Sequence, residues 1–363
     1  MIERRHDPAK RGFASDNYAG VLPEVLDAIA VANGGHQSSY GADAYTAALA
    51  ERVRELFGPS ASAYPVFNGT GANVVALASM SQRWESVVCA ASAHIHVDEG
   101  GAPESVAGLK LFTVPTSDGK LTVAGIEDAL PDRAGDVHWA QPRVLSVAQA
   151  TELGTVYSRA ELGELVDYAH GRGWSVHVDG SRLANAAASL GVELAASTAD
   201  VGVDVVSVGG TKSGLLGAEL VLVLNPDAVR GVEYGRKSLM QLASKQRFLA
   251  AQFLALFSDG LWERVARHAN SMAALLADAM ADLPGVELTQ KVQANAVFAT
   301  LPREVSLRLM EQVPFYFWDE ARGEVRWMCS WDTTEEDVRG FVELVRGELK
   351  CGEVRATHRA ADT

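Results

Sequence analysis

The sequence predicts an α/β fold, a large unit on a mostly parallel sheet followed by a smaller α+β unit. Three observations predict it. Segments with helical periodicity alternate with short β-rich runs, the pattern of strand–helix–strand winding. Two of those runs, DVVSVGG (204–210) and ELVLVLN (219–225), are largely apolar along their length, as strands covered on both faces are. Beyond Asp259 the alternation gives way to helices separated by short strands.

The elements follow in order. Pro23 suits the first turn of a helix reaching Ala32, where its missing N–H costs nothing, and Asp43 caps a second helix that ends near Gly58. AYPVF reads as a strand, and FNGTGANVVALASM as a tight turn opening a helix. Strands at 87–90, 109–114 and 143–148 precede a helix over Arg159–Gly171 and the strand SVHVD. DVVSVGG (204–210) and ELVLVLN continue the sheet, and a single long helix over Val232–Phe257 connects to the second unit. That unit comprises a helix over 262–282, strands near 286–289 and 296–301, a helix over 303–311, the strand VRWMC (325–329) and a last helix after Asp332, Thr333 and Thr334. The expected division is an N-terminal segment 1–19, a large domain 20–258, a small domain 259–355 and a flexible tail 356–363, whose ATHRAADT has no apolar face.

Composition sets bounds. A chain of 363 residues with 48% hydrophobic content supplies a substantial core. Its net charge of -14 works against binding a phosphate backbone, so nucleic acid is not an expected partner. The charged start MIERRHDPAKRG lacks the apolar core of a secretory signal, and no run approaches the ~20 apolar residues of a membrane span. Three dispersed cysteines, Cys89, Cys329 and Cys351, show no metal-ligand spacing and fit a reducing, cytoplasmic compartment.

Ligands of open α/β sheets bind beyond the strand ends, so polar residues ending buried strands are the candidates for chemistry. Three stand out: Asp179 after SVHV, Lys212 after DVVSVGGT, and the turn at Gly69, Thr70 and Gly71 that opens a helix. Singly, each has an ordinary reading as a turn or surface residue. Together, a carboxylate, an amine and a nest of backbone N–H groups meet the needs of pyridoxal 5'-phosphate. The amine forms a Schiff base with its aldehyde, the carboxylate keeps the ring nitrogen protonated, and the helix start receives the phosphate.

The motifs then become specific. HVDGSRLANA, SVGGTKSGLLGAE, FNGTGANVVAL and AHIHVDEGG resemble segments of the threonine aldolase family, a β-eliminating-lyase-like branch of pyridoxal-phosphate fold type I, and the likeness runs from about Phe13 to Arg346. The resemblance implies a large domain with a mostly parallel seven-stranded sheet and a small C-terminal α+β domain. It implies Asp179 as partner of the pyridine nitrogen, Lys212 as the anchor, Gly69, Thr70 and Gly71 as the phosphate nest, and His94, beside Glu99, as the residue stacked on the ring. FASDNYAG implies Ser15, HVDGSR implies Arg182 and EVRWMCSWDTT implies Arg326 as contacts of the substrate carboxylate. GDVHWA implies His138 at the substrate hydroxyl. His96 and His177 read as structural. Gln149 and Glu152 are candidates to line the site, and Arg236 and Lys237 to reach the phosphate across a subunit boundary.

The implied reaction is cleavage of the Cα–Cβ bond of a β-hydroxy-α-amino acid to glycine and an aldehyde, with His138, His94 or water as the base. The implied assembly is a homodimer or homotetramer with active sites at the dimer interface. Trp139, Phe315, Tyr316, Phe317, Trp318, Trp327 and Trp331 offer either an aromatic pocket for phenylserine-like substrates or a core cluster. The competing functions are β-elimination, racemization or transamination on the same cofactor, and a non-catalytic pyridoxal-fold binding protein.

Overall fold

The computed structural model describes residues 3–361, with side chains through Cys351. The chain forms two compact units, Val21–Val265 and Met1–Gly20 with Ala266–Thr363.

The larger unit is built on seven strands: β1 Ser62–Val66, β2 Glu85–Ala90, β3 Lys110–Val114, β4 Gln141–Ala148, β5 Ser175–Gly180, β6 Val205–Val208 and β7 Glu219–Val223. They lie in the order β1-β7-β6-β5-β4-β2-β3. β3, β2, β4, β5 and β6 pair in parallel, whereas β7 is antiparallel to both β6 and β1. Only β7 therefore runs against the sheet, and the C-terminal ends of the other six share one edge. Every residue of β5, β6 and β7 is buried, in keeping with their apolar sequences.

The helices begin where the sequence predicts. Pro23 opens the helix Pro23–Ala32, and Asp43 Oδ1 accepts the N–H of Thr46 to cap Ala44–Phe57. The stretch 232–257 departs from expectation, being two helices, Val232–Ser238 and Arg247–Leu256. Met240 between them takes the left-handed conformation at φ 62°, which no α-helix tolerates in its interior. Arg247–Leu256 packs on Pro23–Ala32 and Ala44–Phe57 within its own unit and so is not a connector.

The smaller unit contains a four-stranded antiparallel sheet, ordered β10-β11-β9-β8, of β8 Glu287–Leu288, β9 Ala296–Thr300, β10 Tyr316–Asp319 and β11 Glu324–Met328. Its core gathers Phe13, Leu276, Val297, Phe315, Trp327 and Phe341. Trp327 meets Phe341 edge-on at 5.5 Å and Phe315 at 6.2 Å. These aromatics are core rather than pocket lining. The last helix runs Glu335–Ala361 and so takes in residues 356–361 of the segment expected to be a flexible tail. The last two residues of that tail lie outside the described residues. No helix among the described residues is long and apolar enough to cross a membrane.

Candidate active site

The shared edge of the larger sheet collects the predicted residues. β1 ends at Val66, and two residues on Asn68 caps the helix Gly69–Met80, its Oδ1 accepting the N–H of Gly71 at 2.7 Å. The N–H groups of Gly69 and Thr70, at the helix start, have no carbonyl four residues back within it, which makes this turn an anion cradle. Gly71 leaves no room for a side chain, since a Cβ there would stand 2.3–2.6 Å from the Gln241 amide.

β2 leads to the short helix His94–Val97, β4 to the loop carrying Gln149 and Glu152, β5 to Asp179 and Arg182, and β6 to the turn Thr211–Ser213 with Lys212. Asp179 is 6% exposed. Its Oδ1 accepts the N–H of Ser181 at 3.0 Å and its Oδ2 the Asn73 amide at 2.9 Å. Burial opposes the charge of this carboxylate, but the Lys212 ammonium and the donors from Ser181 and Asn73 outweigh it and hold its pKa below the ordinary value. Lys212 thus lies within electrostatic reach of a buried, ionised carboxylate.

The turn bearing Lys212 is fixed from β7. Because β7 runs backwards, its first residue, Glu219, stands at the same edge, where Oε2 accepts the N–H of Gly210 at 2.7 Å and Oε1 that of Thr211 at 3.3 Å. Gly209 and Gly210 permit the close approach: a Cβ on either would meet a backbone carbonyl oxygen, of Ser181 or Ala218, at 2.2 Å.

His94 Nδ1 lies 2.9 Å from Glu99 Oε1, and that hydrogen bond raises the imidazole pKa against the effect of burial, Asp179 adding to it and Lys212 subtracting. Glu152 Oε1 accepts the backbone N–H of His94 at 2.9 Å. Burial pushes the Glu152 carboxyl up to about 7, opposed by that N–H and reinforced by Asp179. His177 is buried between the hydroxyls of Ser146 (2.9 Å) and Ser207 (3.0 Å), and burial drives its pKa down to about 4.

One predicted residue is placed differently from expectation. His138 is exposed and precedes β4, whereas Asp179 pairs with Ala148 at that strand's far end. At ~3.3 Å per residue the length of β4 puts more than ~20 Å between them, so His138 takes no part in the constellation of its own chain. Arg236 is 8% exposed, and its Nη1 donates to the carbonyl of Pro65 at 3.2 Å. Within its own chain the guanidinium thus braces the strand that leads to the cradle.

Ser15 and Arg326 belong to the other unit and adjoin there. Arg326 Nη2 donates to the carbonyl of Ala14 at 3.4 Å, and its guanidinium lies over Trp318 at 5.2 Å. Asp16 is buried and accepts the Asn295 amide at 3.0 Å, a structural bond.

Asn73 and Glu219 were not among the predicted site residues. Asn73 lies inside the cradle motif GTGAN, and Glu219 is a charge at the head of an apolar strand; both signals were present in the sequence.

The group these residues suit is pyridoxal phosphate. The side chains form a matching donor set: an amine, an ionised buried carboxylate, an imidazole and an anion cradle too tight at Gly71 for a Cβ. Glu99 Oε2 and Glu152 Oε2 are buried acceptors without a partner beside it.

Comparison with known proteins agrees. The family model for β-eliminating lyases matches residues 12–302. The chain is 42% identical over 338 residues to the low specificity L-threonine aldolase of Pseudomonas sp. (strain NCIMB 10558), covering 93% of this chain and 97% of that protein. It is 43% identical over 335 residues to the Pseudomonas aeruginosa protein of the same description, covering 92% and 96%. Among solved structures, a Leishmania major threonine aldolase superposes with a TM-score of 0.86 at 30% identity, covering 92% of this chain and 98% of that one.

Proposed function

The chain belongs to the β-eliminating lyase family, and from that premise we propose that it is a low-specificity threonine aldolase: a pyridoxal-phosphate-dependent lyase of fold type I that cleaves β-hydroxy-α-amino acids to glycine and an aldehyde. The observation that carries the reading is the buried, ionised Asp179 set against Lys212 at the edge where the cradle of Gly69, Thr70 and Gly71 also opens.

Bound pyridoxal phosphate supplies an electron sink for the pair released when Cα–Cβ breaks. The Lys212 amine is the group that would hold its aldehyde carbon. Asp179, kept charged by its donors, would pair with the ring nitrogen, the imidazole of His94 would lie on the ring, and the cradle would take the phosphate. Arg182 would bind the substrate carboxylate, for which a guanidinium offers a planar two-point fork, and so orient the bond to be broken. His94, whose Nδ1 faces Glu99, has its other ring nitrogen left to take the β-hydroxyl proton, a transfer worth ~10²–10⁴ in rate.

A homodimer or homotetramer with sites completed at the dimer interface belongs to the same proposal, as does a cytoplasmic location; the free thiols of Cys89, Cys329 and Cys351 suit a reducing compartment. In support of a partner surface, Tyr40, Met240 and Phe67, near the cradle, are exposed at 51%, 79% and 44%.

The test is a panel of L-threonine, L-allo-threonine and L-phenylserine with added pyridoxal phosphate. Glycine and the matching aldehyde are expected, with no turnover by Lys212→Ala. Ammonia with a keto acid, or the D-isomer, would transfer the protein to elimination or racemization chemistry.

A further inference from the structure

One amide nitrogen joins two parts of the site that the reaction requires to be in register. Asn73, 1% exposed, directs Nδ2 at Asp179 Oδ2 (2.9 Å) and at Glu99 Oε1 (2.8 Å). A primary amide nitrogen carries two hydrogens, one for each acceptor. The reverse orientation of the amide would set its oxygen against two carboxylate oxygens, so the donor assignment is fixed by electrostatics. Glu99 Oε1 also receives His94 Nδ1 at 2.9 Å, and because an ionised carboxylate only accepts, that ring nitrogen carries the hydrogen.

We propose that Asn73 and Glu99 are positioning residues forming one buried bridge, Asp179–Asn73–Glu99–His94, which locks the Asp179 carboxylate in place and holds the neutral His94 ring as its Nδ1–H tautomer. The proposal rests on the reading of Asp179 and His94 given above. It assigns to the asparagine of GTGAN a role separate from the cradle that precedes it. The helix Gly69–Met80 thereby serves the site twice, with its N-terminal amides at one point and with a side chain one turn later at another. The bridge also explains how acidic groups stand close together: Asp179 and Glu99 share a donor, so that each is offset by hydrogens rather than facing the other bare. The orphan acceptors Asn73 Oδ1 and Glu99 Oε2 are buried, so a side chain that lost the bridge would find no alternative partner already waiting.

The experiment uses the full chain labelled with 15N-histidine, with and without pyridoxal phosphate; His94→Gln assigns the resonance among the nine histidines. In the wild type, His94 above its titration midpoint is expected to show a protonated Nδ1 and a bare Nε2. Glu99→Gln is expected to lower that midpoint, because the carboxylate charge is lost while the shape is kept. Asn73→Ala is expected to weaken pyridoxal phosphate binding about tenfold, and the double variant to be less impaired than the product of the two single effects, the mark of residues acting through one network.

A neutral His94 protonated on Nε2, an unchanged midpoint in Glu99→Gln, or binding losses that simply multiply would overturn the bridge. Should Asn73→Ala not fold, Asn73→Ser serves in the cycle, and the wild-type tautomer needs no variant. A wild type that binds no pyridoxal phosphate would defeat the functional reading alone, since the tautomer and the midpoint are read on the unloaded chain as well.

Discussion

Glu219 accepts the backbone N–H of Gly210 at 2.7 Å, so the one strand that opposes the rest of the sheet secures the turn on which Lys212 sits. Burial raises the Glu219 carboxyl above its ordinary pKa, against the pull of Thr211, Gly210 and Lys212. Replacing it with alanine orphans the buried N–H of Gly210 and the part-buried N–H of Thr211. Glu219→Ala is expected to cost about 1–3 kcal/mol in urea unfolding and, by loosening the lysine, on the order of 10²-fold in kcat. Retention of both would remove Glu219 from any part in the site.

The two close-approach glycines should respond differently to alanine. At Gly209 the obstacle is the Ser181 backbone at 2.2 Å, which cannot yield without parting β5 from β6, so Gly209→Ala is expected to lower stability by about 3 kcal/mol or to prevent folding. At Gly71 the obstacle is the Gln241 side-chain amide, which can swing aside at the expense of its bond to the Phe67 N–H. Gly71→Ala is therefore expected to fold but to bind pyridoxal phosphate less tightly, with Gln241→Ala restoring part of the loss. Equilibrium dialysis of the single and double variants decides it.

His177 makes the fold sensitive to acid. Its folded pKa of about 4 lies below the ordinary 6.5, so between those values the unfolded chain takes up a proton that the folded chain refuses. Stability attributable to this residue is complete above pH 6.5 and falls as the pH drops toward 4, by about 3 kcal/mol. His177→Gln, which cannot titrate, should show a flatter dependence of urea midpoint on pH across that window. Parallel curves for variant and wild type would contradict the assignment.

Glu152 acts with the opposite sign. Its carboxyl is raised from 4.5 to about 7, so its ionisation favours the unfolded chain, and stability falls as the pH rises through that interval. Glu152→Gln keeps an acceptor for the His94 N–H and removes the charge. The unloaded variant is expected to be more stable than wild type by about 1–3 kcal/mol at pH 8 and nearly equal at pH 4.5. Thermal melts at the two pH values measure the difference.

Much of the architecture was legible because strands buried on both faces leave an apolar signature, as in DVVSVGG and ELVLVLN, and because Asp179, Lys212 and GTGAN mark strand ends. Other features depended on direction or on conformation at a single residue. His138 precedes its strand in GDVHWAQPRV, and in a parallel sheet whose ligands gather at the C-terminal ends that order alone places it at the opposite edge. The break at Met240 was hidden because the apolar spacing on either side continues through it. The short strand Tyr316–Asp319, directly after Pro314 and Phe315, carries too few residues for its alternation to register. Asn73 and Glu219 were visible as residues, but their roles exist only once strands distant in sequence are neighbours.

The placement of β1 governs when the protein can first become competent. β1 is an edge strand whose sole pairing is with β7, Ser62 opposite Val223, so the segment leading to the anion cradle gains its sheet neighbour only after some 160 further residues have left the ribosome. During synthesis the central strands can assemble as each emerges, while β1 waits as an unpaired ribbon. Capture of the coenzyme is on this account a late event in biogenesis, and the stretch from Ser62 to Val66 is where a stalled or truncated chain would expose a strand seeking a partner.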